Sequence, residues 1–474
     1  MNFKDLLIGW AMEDITPLGP AVLFGQYYDR LAQYIESPLT ATACAFERVA
    51  ENGVKEQAIM VSVDLIWCTA LLKTRLKERI KLILADFDVN NLVVNATHTH
   101  SAPEPDVTGD YGKMVVEKLA DVIAAAWKNR KPATIGSSAG YAVVGHNRRI
   151  RYADGSAEMY GSLNRPDFIG IEGTADSAAD MIFCWDEAEQ LTGIIMNVPC
   201  PAQVTEAKYF VSADYWSEVR KQLKQYFNRD VYVLAQCGAA GDISPRDLTR
   251  PYATDKPDMW DVPGIVAIGE SLLQLVKEAY PEAKKRRQIK PVFKHLVKQI
   301  DIPFRKVSEA EYNNALVIVK KIRAREPADP GSPLTAFNRF LSEVKENEKL
   351  KQYGPWDNKD SDYGILRLAE IITAQYSHQQ KHPYYHMELH VIRLDDVVFA
   401  SNSFELFVDY GFMIKGRSKA AQTFIVQLSD DYAGYLPTQR ALEGGGYSAT
   451  ANPVGPDGGR ILVEETISAI NSLF

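Results

Sequence analysis

The segments LTGIIMNVPC (191–200), YWSEVRKQLKQYFN (215–228) and VYVLAQCG (231–238) decide the fold class. The first and last are apolar runs rich in β-branched residues, which suits strands buried on both faces. The middle one spaces its apolar residues as an amphipathic helix does. Strand, helix, strand at this spacing is the βαβ signature of an α/β domain. The same order lies upstream, with AIMVSVDLIWC (58–68), a helical TALLKTRLKERIKLILAD and NLVVNAT (91–97). KMVVEKLADVIAAAWKNR (113–130) predicts another amphipathic helix, ending before Lys131-Pro132.

Further on, the basic run AKKRRQIKPVFKH (283–295) reads as a solvated connection. Ser308 and Glu311 form a capping box ahead of a helix. Helices over 336–352 and 361–380 follow, so 306–380 reads as a helical insertion. Strands return at MELHVIRLDDVVFASNS (387–403) and QTFIVQLS (422–429). No internal repeat interrupts this order. The expectation is one large α/β domain spanning 1–474, with mixed β-sheet flanked by helices, plus the insertion.

The composition fits that reading. Of 474 residues, 46% are apolar and 24% charged, ordinary for a globular chain. With 53 Lys and Arg against 61 Asp and Glu the net charge is −8. Such a chain lacks the basic field that nucleic acid binding needs. No apolar run approaches the ~20 residues of a membrane span. The start, MNFKDLLIGWAMEDITP, does not read as a signal peptide. The expected location is cytoplasmic, or periplasmic or secreted if a leader has been removed. Five scattered cysteines without a CxxC pair argue against a disulfide framework or a zinc ribbon.

Four constellations could carry chemistry. In NATHTHSAPEP (95–105) a buried strand runs into His98 and His100, at the strand end where α/β proteins place their sites. Two residues apart on a regular strand, these side chains point to opposite faces, and both reach one metal only if the backbone bends. AQCGAAGDISP (235–245) ends a strand in a turn of small residues that carries Asp242 and Ser244. HMELH (386–390) imitates a zinc-protease HExxH, but its Glu388 is one place late and the segment alternates as a strand does. Last come Glu405 after a buried strand, DDYAGYLPT (430–438) and GGGYSA (444–449), with carboxylate and phenol oxygens acceptable to zinc.

In this order the pieces resemble the neutral/alkaline non-lysosomal ceramidase family. The matching stretches are GWAMEDITP (9–17), ATHTHSAP (96–103), GHNRRIRY (145–152), VSADYWSEVR (211–220), QCGAAGDISP (236–245), the Glu405 strand end, DYAGYLPT and GGGYSA. Members are zinc amidases that cleave the N-acyl bond of ceramide, so the resemblance implies sphingolipid-type hydrolysis. Residue by residue it implies zinc ligands at His98, Glu405 and Tyr435, and site residues at His100, Arg148, Ser244 and Tyr447. The family's second zinc histidine has no counterpart in GIIMNVPCPAQ, where Cys200-Pro201 stands in its place. Cys200 is therefore expected as a thiolate ligand. Glu405 follows Asn402-Ser403-Phe404 rather than Pro-Gly, and the family's C-terminal β-sandwich domain has no counterpart before Phe474.

The implied chemistry is a zinc ion that polarises a carbonyl or a water, with Ser244 as nucleophile or orienting partner. Tyr447 or Arg148 would stabilise the oxyanion. His100 would carry the proton, while Asp242 and Asp64 would fix histidine tautomers. The expected partner is a small-molecule or lipid-like N-acyl substrate. Two alternatives stand beside ceramide hydrolysis. One is a hydrolase on the same scaffold acting on a soluble amide, ester or glycan-derived compound. The other is a non-catalytic binding protein with a degraded metal site.

Overall fold

The computed structural model describes residues 6–49, 53, 55–249, 259–349, 359–450 and 452–474. Its larger sheet has eight strands: β1 (Leu7–Asp14), β2 (Thr40–Val49), β3 (Lys55–Val63), β4 (Leu92–Ala96), β5 (Lys131–Tyr141), β6 (Ala178–Asp186), β7 (Leu191–Val198) and β8 (Tyr232–Cys237). They lie in the order β8-β7-β6-β5-β1-β2-β3-β4. The middle of the sheet is antiparallel, and each outer pair is parallel. These outer pairs are the two βαβ units legible in the sequence, crossed over by α1 (Ala70–Ile83) and α3 (Tyr215–Phe227). The sheet curls so that β8 comes back against β3 and β4. Ser62 Oγ and Asn95 Nδ2 both donate to the Ala235 carbonyl, at 2.6 and 3.0 Å.

Alternation along the strands builds two cores. On one face, α1 and α2 (Asp110–Lys128) cover Ile59, Val61 and Val94 with Leu72, Leu76 and Ile123. On the same face, α3 and α4 (Val262–Lys285) cover Phe183, Ile194 and Met196 with Trp216, Leu223 and Leu272. The opposite face, carrying Phe46, Ile182 and Leu234, packs on Ile392, Phe399 and Phe424 of a second sheet. That sheet runs β9-β10-β11-β12, over Phe293–Pro303, Tyr384–Leu394, Val397–Ser401 and Gln422–Val426. Its far side is closed by α8 (Val408–Lys415) and the C-terminal helix Pro456–Ser472, through Ile414, Leu462 and Ile467. Each buried aliphatic side chain contributes roughly 1.5–3 kcal/mol on transfer from water. The result is helix, sheet, sheet, helix, the α/β class expected.

β9 and β10 pair antiparallel from Phe293↔Leu394 to Pro303↔Tyr384. Between them lie α5 (Glu309–Arg323), α6 (Ala336–Lys349) and α7 (Asp362–Gln379). The capping box is formed, with Ser308 Oγ accepting from Glu311 N at 3.2 Å and the Glu311 carboxylate accepting from Ser308 N at 2.8 Å. Positions 350–352 of the expected 336–352 helix lie outside the described residues. Two local readings need correction. The strand read over 58–68 ends at Val63, because the chain turns there to reach the Thr69 cap of α1. The basic run is more than a connection, since Ala283–Lys285 close α4 and Phe293–His295 open β9.

Candidate active site

The strand ends at one rim of the larger sheet and a wall of the insertion enclose a cavity of about 630 Å³. β4 stops at Ala96, and His98 then adopts φ +65°, a left-handed conformation costly for a residue with a Cβ. That bend turns both imidazoles into the cavity, their ring centroids 4.9 Å apart. His98 Nδ1 lies 2.7 Å from the Ile66 carbonyl and donates to it, which fixes the ring with Nε2 facing the cavity. Gly25, at φ +110°, lies flat against His100; a Cβ there would fall 2.5 Å from Nδ1.

Two very short strand pairs bring in the rest. Glu405 pairs with Tyr435 in parallel register, which sets carboxylate and phenol side by side. Glu405 Oε2 is 3.4 Å from His98 Nε2, and its Oε1 accepts from the Tyr432 hydroxyl at 3.0 Å. Burial by itself would raise the Glu405 pKa. His98, Arg148 and the Tyr435 hydroxyl outweigh it and hold the carboxyl below its ordinary value. Asn147 pairs with Ile243 in antiparallel register, which carries Arg148 into the site. Its guanidinium donates to Tyr160 Oη at 3.0 Å, to the Gly241 carbonyl at 3.0 Å and to Tyr435 Oη at 3.5 Å. Tyr447 stands edge-on to Tyr435 at 5.9 Å and lines the same cavity.

Two expectations are not met. Cys200 does not line the cavity. Its thiol sits in the core under α3 with Val198, Val204 and Tyr215, 3.7 Å from the Val144 carbonyl, and burial pushes its pKa well up. Such a thiol is a packing group rather than a thiolate ligand. The tautomers are not set by the two aspartates. Asp64 accepts from Arg220 at 2.7 and 3.0 Å and from Thr40. Asp242 accepts from Asn147 Nδ2 at 2.7 Å and Val408 N at 2.9 Å, and burial raises its pKa to about 6. The His100 pKa is displaced as well. Burial, then His98, Arg30, Arg148 and Lys359, lower it well below 6.5.

Ser244 is buried behind Tyr160, to whose hydroxyl oxygen its Oγ donates at 3.4 Å, and it does not line the cavity. HMELH lies within strand β10, as its alternation indicated. Glu388, His390 and Asp430 form the one set of three metal-type donors mutually within 4.8 Å among the described residues. An ammonium already lies among them: Lys73 Nζ is 2.6 Å from Glu388 and 2.8 Å from Asp430.

Gln203 and Glu206 were not read from the sequence. Gln203 Nε2 lies 2.6 Å from His100 Nε2. Glu206 accepts from the Tyr160 hydroxyl at 3.2 Å and lies 3.9 Å from His100 Nδ1. Both follow Cys200 on a loop with no periodicity, so only their proximity to the CPAQ segment could have flagged them. Tyr432 sits inside the quoted DYAGYLPT and stacks on Trp67 at 4.0 Å.

A zinc ion fits part of this arrangement. The 3.4 Å between His98 Nε2 and Glu405 Oε2 suits two donors sharing one cation at ~2.0–2.2 Å each. Tyr435 adds a phenol beside them; burial, then Glu405 and Tyr447, push its pKa well up, against which Arg148 acts. Three protein donors with an open position is the pattern of catalytic zinc sites.

No family model and no curated protein matches the chain. Solved structures do. A neutral ceramidase from Pseudomonas aeruginosa superposes with a TM-score of 0.69 at 16% identity, over 99% of this chain and 74% of that one. A ceramidase complexed with C2 gives 0.69 at 17% identity, over 99% and 75%. The chain therefore has the neutral ceramidase fold.

Proposed function

We propose that this chain is a zinc-dependent hydrolase of an amide (N-acyl) bond, acting on a small-molecule or lipid-like substrate. The observation that carries the reading is the convergence of His98, Glu405, Tyr435, His100, Arg148 and Tyr447 on one cavity. Nothing in packing alone requires these residues from distant parts of the chain to meet. His98, Glu405 and Tyr435 would hold the ion, which supplies a Lewis acid for the acyl carbonyl and a more acidic water. Retention of these three donors argues against a degraded metal site, while the burial of Cys200 leaves it one ligand short of the four that the resemblance implies.

The protein's own groups then have distinct tasks. Tyr447, on the wall beside Tyr435, donates to the carbonyl oxygen as negative charge develops there. Arg148 holds Tyr160 and Tyr435 in place and adds positive charge beside that oxygen. His100 is neutral at pH 7, so it can take a proton from the attacking water, and Glu206 near Nδ1 stabilises the imidazolium formed. The water oxygen forms the new C–O bond, the C–N bond breaks, and His100 returns the proton to the leaving amine. Ser244 positions Tyr160 and does not attack. The test is metal content together with amine release from short N-acyl amines. About one zinc per chain and release abolished by Glu405→Gln are expected. A zinc-free chain with no amidase activity after zinc addition would sink the reading.

A further inference from the structure

Two tyrosines of the DYAGYLPT stretch line the cavity near the Glu405 carboxylate, and their hydrogen bonds differ. Tyr435 Oη accepts from Arg148 at 3.5 Å. Tyr432 Oη instead donates to Glu405 Oε1 at 3.0 Å, while the other carboxylate oxygen, Oε2, lies 3.4 Å from His98 Nε2. The Tyr432 proton is thus committed to one oxygen of Glu405, and the second oxygen is the one beside the histidine donor. Burial, then Glu405, push the Tyr432 pKa well up, so the hydroxyl keeps that proton at neutral pH.

The phenol is fixed by its backbone and by its ring. Ala433 N donates to the Ser403 carbonyl at 2.8 Å, and Glu405 N donates to the Gly434 carbonyl at 2.9 Å. Tyr432 therefore rides on the same short strand pairing that carries Glu405. Its ring stacks on Trp67 at 4.0 Å with 18° between the planes, and Trp67 meets Phe24 edge-on at 5.1 Å. Asp431 Oδ1 accepts from Ala70 N at 2.9 Å, which ties the Tyr432 loop to the start of α1, three residues after Trp67. Stacking on Trp67 needs only an aromatic ring, which a Phe would supply equally well. The hydroxyl is what packing leaves unexplained.

A carboxylate free to turn offers a cation either one oxygen or both. One whose Oε1 already accepts a hydrogen bond offers Oε2 alone, and it is ordered before the ion arrives. We infer that Tyr432 is a positioning residue for the metal site: its hydroxyl holds Glu405 so that only Oε2 is turned to the ion, which keeps a position open for substrate. This rests on the reading of His98, Glu405 and Tyr435 as metal donors, and Tyr432 itself touches no reacting atom.

Tyr432→Phe keeps the ring and its stack and removes only the hydroxyl. Zinc affinity is measured by chelator competition in the natural chain, Tyr432→Phe, Glu405→Gln and the double variant, and the visible band of the cobalt-loaded natural chain is compared with that of Tyr432→Phe. Tyr432→Phe is expected to weaken zinc binding about tenfold. Its cobalt band should lose intensity, as the second Glu405 oxygen joins the ion and raises the coordination number. In the Glu405→Gln background the same change should cost less than about twofold, because the hydroxyl acts through the carboxylate. The metal-free variant should unfold in urea at the natural midpoint. Unchanged affinity and spectrum in Tyr432→Phe, an equal loss with and without Glu405, or a loss matched by a lowered midpoint would each overturn the inference and leave the metal reading standing. A natural chain that takes up neither zinc nor cobalt would remove the metal reading, and the inference with it.

Discussion

At the scale of the residue, the site depends on where single side chains point. Cys200 and Gln203 are three positions apart, yet one packs in the core and the other touches His100. Cys200→Ala is therefore expected to keep full zinc content by elemental analysis and to cost only ~1 kcal/mol in urea unfolding. Glu405→Gln should lose at least ~tenfold in zinc affinity, read by competition with a chromogenic chelator. Gly25→Ala adds a Cβ 2.5 Å from His100 Nδ1 in a backbone conformation that favours glycine. We expect about a tenfold fall in kcat with zinc content unchanged, because the imidazole must tilt. His98 stands out as one of two histidines at a strand end, whereas Glu405 and Tyr435 are picked out only through the family resemblance, because carboxylates and Tyr-Gly turns are common in ordinary loops. The place of Cys200 was not legible, because a one-residue choice of facing on a loop leaves no periodic trace.

At the scale of the element, the parallel outer pairs of the sheet were readable and the antiparallel middle was largely not. β5 shows why. Its GSSAG stretch lacks the β-branched residues that signal a strand, since α4 lies directly on it. A Cβ at Gly136 would sit 2.2 Å from the Ala283 carbonyl, so close helix approach selects a small residue over a strand former. The HMELH strand has an energetic role instead of a catalytic one. Lys73 of α1 reaches across to Glu388, His390 and Asp430, tying α1 to the second sheet. Lys73→Met would leave the buried Asp430 without its ammonium, while Lys77 at 3.3 Å still serves Glu388, and a loss of ~3 kcal/mol in urea unfolding is expected. Asp242 joins the short His146–Asn147 strand to the start of α8. Its pKa is about 6 in the fold and near 3.8 in the unfolded chain, so the folded state binds the proton more tightly. Its contribution is full below pH ~3.8 and is lost as pH rises through about 6. Unfolding free energy should therefore gain a component that increases from pH 7 to pH 5, and Asp242→Asn should flatten that slope.

At the scale of the whole molecule, the side chains of His98, Glu405 and Tyr435 meet only in the folded chain. A metal held there links the larger sheet to the segments that follow β11 and β12. Zinc removal by a chelator is expected to lower the melting temperature as well as abolish activity, since a ligand at a thousand times its Kd adds ~4 kcal/mol. Reading motifs in order along the chain could suggest that they share a site, but the curl of the sheet that brings them together is not written in any one of them. The insertion shows this most clearly: its helices were legible as helices, while its part in the cavity depends on tertiary contacts alone.

The hairpin between β9 and β10 has one more consequence. The insertion departs at Pro303 and returns at Tyr384, which are paired neighbours in the sheet. Its two ends are therefore fixed side by side whatever lies between them. Evolution, or an engineer, can exchange the whole lobe as a cartridge, replacing one wall of the cavity while His98, Glu405 and Tyr435 on the opposite wall stay where the sheets hold them.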